Sequence, residues 1–182
     1  MTKKLTGLRA LLAAIFLAVP LSANAGLLGS TVTGTPLFPN TSTLGGTGHA
    51  AGPFTVVDPG LEFPEGEPYI LYSGNIDITD NQIRWIPTVS ATYLTADFNG
   101  FMLKFFGAPA ITNVVLDPAS ALAATSISFT SDTVLLNFSG KTVFANEPAI
   151  FDVNPTPEPG TFVLFGLGLA GLGAVRRWKL AA

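Results

Sequence analysis

Fifteen consecutive residues near the C-terminus, Thr161 to Val175, carry no charge, and Arg176-Arg177-Trp178-Lys179 follows them at once. A run with no polar face has nothing to offer water, so it must be buried in protein or in lipid. As a helix it reaches roughly 22 Å, short of the ~30 Å hydrocarbon core of a bilayer. Snorkelling of Arg176 and Arg177, an interfacial Trp178 or local thinning of the bilayer must supply the difference. The basic cluster Arg176, Arg177 and Lys179 acts as a stop that the positive-inside rule keeps in the cytoplasm, which leaves residues 26–160 outside. Directly before the run stands Pro155-Thr156-Pro157-Glu158-Pro159-Gly160. Each proline lacks an N–H and pushes its predecessor toward extended geometry, so this segment refuses a helix and is open to a protease without any unfolding.

The N-terminus carries a second address. Lys3, Lys4 and Arg9 precede the apolar run Ala10 to Val19, Pro20 interrupts it, and Ser22-Ala23-Asn24-Ala25 places small residues at the two positions a signal peptidase reads. The run is too short for a stable membrane anchor, and Ala23 and Ala25 put the cut after Ala25. A buried amphipathic first helix is the competing reading, and residues 10–19 have no polar face to support it. The Sec translocon and signal peptidase are the implied partners, and Gly26 is the expected first residue of the exported chain.

The C-terminal arrangement resembles the PEP-CTERM sorting signal of exported bacterial proteins. Pro157-Glu158-Pro159 corresponds to the Pro-Glu-Pro motif, residues 161–175 to the membrane segment, and Arg176-Arg177 to the basic tail. The resemblance implies a substrate of an exosortase, a membrane-embedded cysteine transpeptidase-like enzyme that cleaves near the motif and passes the protein onward. It also implies an exopolysaccharide-producing Gram-negative host. A plain membrane anchor would account for the apolar run and the arginines but not for Pro-Glu-Pro at that place. The string Gly166-Leu-Gly168-Leu-Ala-Gly171 spells G-x-G-x-x-G, yet only eleven residues follow it, too few for the βαβ unit of a dinucleotide site. Gly166, Ala170 and Ala174, four apart, instead suit close helix packing in lipid.

Between the two addresses lie 132 residues, 26–157, with eleven acids against Arg84, Lys104 and Lys141, a net charge of −8. A phosphate backbone would repel this stretch, which argues against a nucleic-acid partner. The chain has no Cys, which removes disulfides, thiolate metal sites and cysteine nucleophiles. The length suits one domain with a real core, and it holds 11 of the 14 Phe together with Trp85 and the three Tyr.

The pattern of that stretch is β. Thr125 to Thr130 alternates polar and apolar, Thr133 to Phe138 keeps Val134, Leu136 and Phe138 on one face, and Ser131-Asp132 between them is a two-residue turn candidate. Residues 75–79, 82–86, 88–94, 101–106 and 112–116 are further short segments rich in β-branched and aromatic residues. Turn formers separate them, among them Asp80-Asn81, Asp117-Pro118 and Asn99-Gly100, the last favouring a type I′ turn. Residues 119–125 allow one turn of helix. The expected fold is all-β, a single antiparallel β-sandwich flanked by an N-terminal signal peptide and a C-terminal transmembrane helix. The divisions are 1–25 signal peptide, 26–52 Gly/Thr/Ser-rich edge strand and flexible loop, 53–154 sandwich, and 155–182 sorting signal. The order Gly60-Leu61-Glu62-Phe63, Phe98-Asn99-Gly100-Phe101, Val114 to Leu116 and Ile127 to Phe138 also looks like a domain common among PEP-CTERM proteins, which implies a β fold and no assigned activity.

Candidates for chemistry are few. His49, the one histidine, lies in a Gly-rich loop with no G-x-S-x-G elbow to serve, so a solvated side chain is the simpler reading. One His without Cys builds no zinc site of three nitrogens or sulfurs. Glu62, Glu65 and Glu67 are too close in sequence to flank a sugar from opposite sides and read as a solvated acidic loop. Asp77, Asp80 and Asn81 offer oxygen ligands for calcium at a turn, but without EF-hand spacing, and an ordinary Asx turn competes. Trp85 is either a sugar-stacking platform or a core residue between Ile83 and Ile86, and the core reading is favoured. The sequence therefore predicts a non-enzymatic exported envelope or matrix protein without a cofactor. It begins as an inner-membrane-anchored precursor, is sorted by exosortase to the cell surface or beyond, and associates with exopolysaccharide or biofilm. A carbohydrate-binding module and a simple membrane-anchored periplasmic domain are the alternatives.

Overall fold

The computed structural model describes residues 26–45, 50–64, 74–156 and Gly168. Eleven strands follow one another in the described chain: β1 (Thr31–Leu37), β2 (Ala51–Thr55), β3 (Gly74–Ile78), β4 (Gln82–Pro87), β5 (Ala91–Thr92), β6 (Gly100–Phe106), β7 (Ile111–Leu116), β8 (Ser126–Phe129), β9 (Thr133–Asn137), β10 (Thr142–Val143) and β11 (Ala149–Pro155). They form a five-stranded sheet in the order β2-β1-β6-β9-β8, a four-stranded sheet in the order β3-β4-β11-β7, and a small β10-β5 pair. Every pairing is antiparallel. The all-β, antiparallel expectation holds.

Alternation explains which face each strand buries. On β6, Phe101, Leu103 and Phe105 point inward while Met102 and Lys104 are half-buried on the other side. Ile76 and Ile78 on β3, Ile83 and Trp85 on β4, and Phe151 and Val153 on β11 meet them from the four-stranded sheet in one shared core. Period-two patterning on both sheets thus produces a two-layer packing. At its centre the Trp85 ring lies 4.6 Å from Phe138, 5.9 Å from Phe101 and 6.0 Å from Tyr93, the last two edge-on. Each such ring contributes about 1.5–3 kcal/mol through burial, and the edge-on pairs add to that. Trp85 is 0% exposed. It is a core residue, and the sugar-stacking platform built on it is overturned.

The β8–β9 hairpin forms as its alternation predicts. Phe129 pairs with Val134, and Thr130 donates its N–H to the Thr133 carbonyl at 2.8 Å, leaving Ser131 and Asp132 as the turn. Four expectations need correction. The Gly/Thr-rich start is not an edge: β1 pairs with β2 on one side and β6 on the other, and the core begins at Leu27 rather than near Pro53. Its β-branched Thr31, Val32, Thr33 and Thr35 suit a pleated interior strand, and the low count of large side chains does not prevent that.

Asn99-Gly100 is no type I′ turn, because Gly100 opens β6 and Asn99 is buried beside it. Asn99 accepts the Phe138 N–H on its carbonyl and donates its side-chain amide to the Leu94 carbonyl, each at 2.8 Å. Gly100 is required by close approach, since a Cβ there would run into the Leu136 carbonyl. Of residues 88–94 only Ala91–Thr92 is strand. Pro87 ends β4, and its carbonyl takes the Asn146 N–H at 2.8 Å, redirecting the chain. Residues 119–125 form no helical turn, because the Asp117 carboxylate takes the Ala119 N–H at 2.6 Å and its carbonyl takes the Ser120 N–H at 3.0 Å, an Asx turn.

Candidate functional site

One end of the domain carries both Leu27 and Val153. It is organised by the two-residue turn Asp80-Asn81, which closes the β3–β4 hairpin through a Thr79 N–H bond to the Gln82 carbonyl at 3.0 Å. Both turn carbonyls are used. Asp80 accepts the N–H of Leu27, and Asn81 accepts the N–H of Val153, each at 2.8 Å. One turn therefore holds the first buried residue of the domain and its last strand.

On the C-terminal side β11 lies between β4 and β7 and pairs as far as Pro155 opposite Ile111, with the register shifting between Asn154 and Pro155. Thr156 continues the contact, donating its N–H to the Ala110 carbonyl at 2.8 Å and its hydroxyl to the same oxygen at 3.3 Å. Thr112 in turn donates its hydroxyl to the Asn154 carbonyl at 2.7 Å. Gln82 ties β4 to this strand through Nε2, which donates to Asp152 Oδ1 at 2.8 Å and Asp117 Oδ2 at 3.1 Å. The hydrogen-bonded part of the domain thus runs to Thr156, the residue before Pro157 in the sequence.

On the N-terminal side Leu27 is fully buried, and its carbonyl takes the Ser30 hydroxyl at 2.6 Å and the Ser30 N–H at 3.1 Å. Gly29 and Ser30 then exchange backbone bonds with Val56, each at 2.9 Å. Behind them sits Glu62, only 3% exposed. Its two oxygens accept the N–H groups of Val57 at 2.9 Å and Ile78 at 2.7 Å, so a single carboxylate joins the 56–62 loop to the end of β3. Burial pushes this carboxyl above its ordinary value, and the backbone donors pull it back. Glu62 is a structural tie rather than part of a solvated acidic loop.

The calcium candidates separate by role. Asp80 and Asn81 are the hairpin turn, whereas Asp77 lies on β3 opposite Arg84 in the ladder. Asp77 is also raised, chiefly by burial and then by the nearby Asp58 charge, with Arg84 opposing. Among the described residues no three His, Cys, Asp or Glu side chains gather where they could hold a metal ion. Ala23, Ala25, His49, Glu65, Glu67, Pro157, Glu158, Pro159, Arg176, Arg177 and Lys179 lie outside the described residues, as does most of the run 161–175. No helix among the described residues is long and apolar enough to cross a membrane. The Gln82–Asp152–Asp117 tie and the Thr156–Ala110 bond were not foreseeable, because both join residues distant in sequence.

Residues 155–177 match the family described as the PEP-CTERM protein-sorting motif. No curated protein and no solved structure matches the chain.

Proposed function

The chain carries a PEP-CTERM sorting motif at residues 155–177, which marks it as an exported protein with exosortase as its processing partner, and from that premise we propose a non-enzymatic envelope or matrix role. In this reading a leader ending at Ala25 directs the chain through the Sec translocon, and residues 161–175 hold the precursor at the inner membrane. Exosortase then acts near Pro157-Glu158-Pro159 and passes the β-domain to the cell surface or the extracellular polysaccharide layer. The observation that carries the reading is the matched motif itself, and the junction at Thr156 supports it. A domain hydrogen-bonded as far as the residue before Pro157 can be released by one cut beyond that residue without breaking those bonds.

Association with exopolysaccharide or biofilm extends the same proposal and is supported by the kind of sorting system involved. A carbohydrate-binding role would need aromatics other than Trp85, since that ring is enclosed. The test is to replace Pro157-Glu158-Pro159 by three alanines in a host with a working exosortase. The proposal expects an uncleaved, membrane-retained precursor. Processing unchanged from wild type would reduce residues 155–182 to a simple anchor of a periplasmic domain.

A further inference from the structure

We propose that Asp80 is the acceptor for the N-terminal ammonium group created when the leader is removed after Ala25, an inference that rests on the export reading above. Gly26 is buried, and its Cα lies directly against one side chain. A Cβ built on it would run into Oδ1, Cγ and Oδ2 of Asp80, the three nearest atoms all belonging to that carboxylate. The backbone prevents Gly26 from swinging away. The next residue, Leu27, is 0% exposed and donates its N–H to the carbonyl of Asp80 at 2.8 Å, while Ser30 grips the Leu27 carbonyl.

The nitrogen of Gly26 is one bond, ~1.46 Å, from that Cα. While Ala25 is attached the nitrogen is a neutral amide. Hydrolysis breaks the Ala25–Gly26 bond: water gives its hydroxyl to the Ala25 carbonyl carbon and a proton to the Gly26 nitrogen. The new carboxyl then ionises and the new amine takes up a proton, because an α-amino group is mostly charged at neutral pH. A positive charge therefore appears beside Asp80 only after processing. Removal of the leader places a charged amine where a neutral amide stood beside the Asp80 carboxylate, making an ion pair on the same turn that holds Val153 of the last strand. A side chain at position 26 would displace the carboxylate.

The test uses the full-length gene in an exporting host and the mature protein recovered from it. Sequencing of its N-terminus establishes the first residue. The folded protein is then treated at neutral pH with an amine-reactive acylating reagent, and labelling of Gly26 is read against Lys104 and Lys141 by peptide mass spectrometry. An exposed ion pair protects its amine modestly, so Asp80→Asn should speed Gly26 labelling by about threefold with the lysines unchanged. Gly26→Ala, which keeps both charges but pushes the carboxylate aside, should speed labelling at residue 26 by a similar factor. Raising wild-type samples from low to high salt should do the same without any substitution, which covers a variant that fails to fold. A Gly26 start with labelling equal in wild type and Asp80→Asn, and indifferent to salt, overturns the pairing alone. A mature chain starting at another residue overturns the leader assignment and the pairing with it.

Discussion

Thr156 gives its backbone N–H to the carbonyl of Ala110 at 2.8 Å, so the residue directly before Pro157 is still hydrogen-bonded to the domain. The junction fixes where a processing enzyme can act without disturbing the domain: at the Thr156–Pro157 bond or beyond it. A cut inside β11 would take residues from a strand that pairs on both sides.

Thr156→Pro tests that junction. It removes the donor while leaving Pro157-Glu158-Pro159 unchanged. The loss of this backbone hydrogen bond near the surface, together with the weaker hydroxyl bond to the same carbonyl, should cost about 1 kcal/mol. Urea denaturation of the exported protein should show that loss, and gel analysis should show the processed fraction unchanged.

Glu62 makes the stability depend on pH. Burial holds its carboxyl above the ordinary value of 4.5, so between those two values the folded chain binds more protons than the unfolded one. The stability this group contributes is therefore greatest on the acid side and falls as pH rises through that window. Glu62→Gln cannot titrate, and it turns an amide NH2 toward either the Val57 or the Ile78 N–H. It should be destabilised by about 1–3 kcal/mol through the backbone donor left unpaired. The lead of wild type over this variant in urea midpoint should shrink as pH rises from about 4 to about 7. A lead that widens over that range would contradict the assignment.

Gly100 is a steric requirement of the β6–β9 pairing. A Cβ there meets the Leu136 carbonyl, a backbone atom that moves only with its strand. Gly100→Ala should cost about 1–3 kcal/mol, the usual range for overpacking, and thermal melting of the exported protein would show it. A melting temperature equal to wild type would mean that the two strands can part to admit a methyl group.

Strand content was legible wherever alternation was clean. The run at 75–79 alternates strictly, and 82–86, 101–106 and 133–138 keep an apolar residue at every second position (Ile83 and Trp85; Phe101, Leu103 and Phe105; Val134, Leu136 and Phe138); each contains a strand with that face inward. The terminal sorting motif was legible because its parts are local: Pro-Glu-Pro, an uncharged run and two arginines stand in order. Less was readable where long-range pairing decides the outcome. Thr31 to Leu37 carries few large side chains, and only the presence of β2 and β6 on its two flanks makes it an interior strand. Asn99-Gly100 has the composition of a hairpin turn, but Asn137 accepts the Asn99 N–H on its side-chain oxygen at 3.0 Å and holds it as a strand entry. Glu62 was misread for the same reason, since its partners Val57 and Ile78 come from two elements that local spacing does not bring together.

The most direct test of the account is the intact mass of the protein recovered from a host with a working exosortase, taken separately from membrane and medium. The account predicts a chain that starts at Gly26, ends at or after Thr156 and lacks Arg176 to Lys179, with or without an added group at its new C-terminus. A chain that keeps Arg176 to Ala182 in both fractions would contradict it.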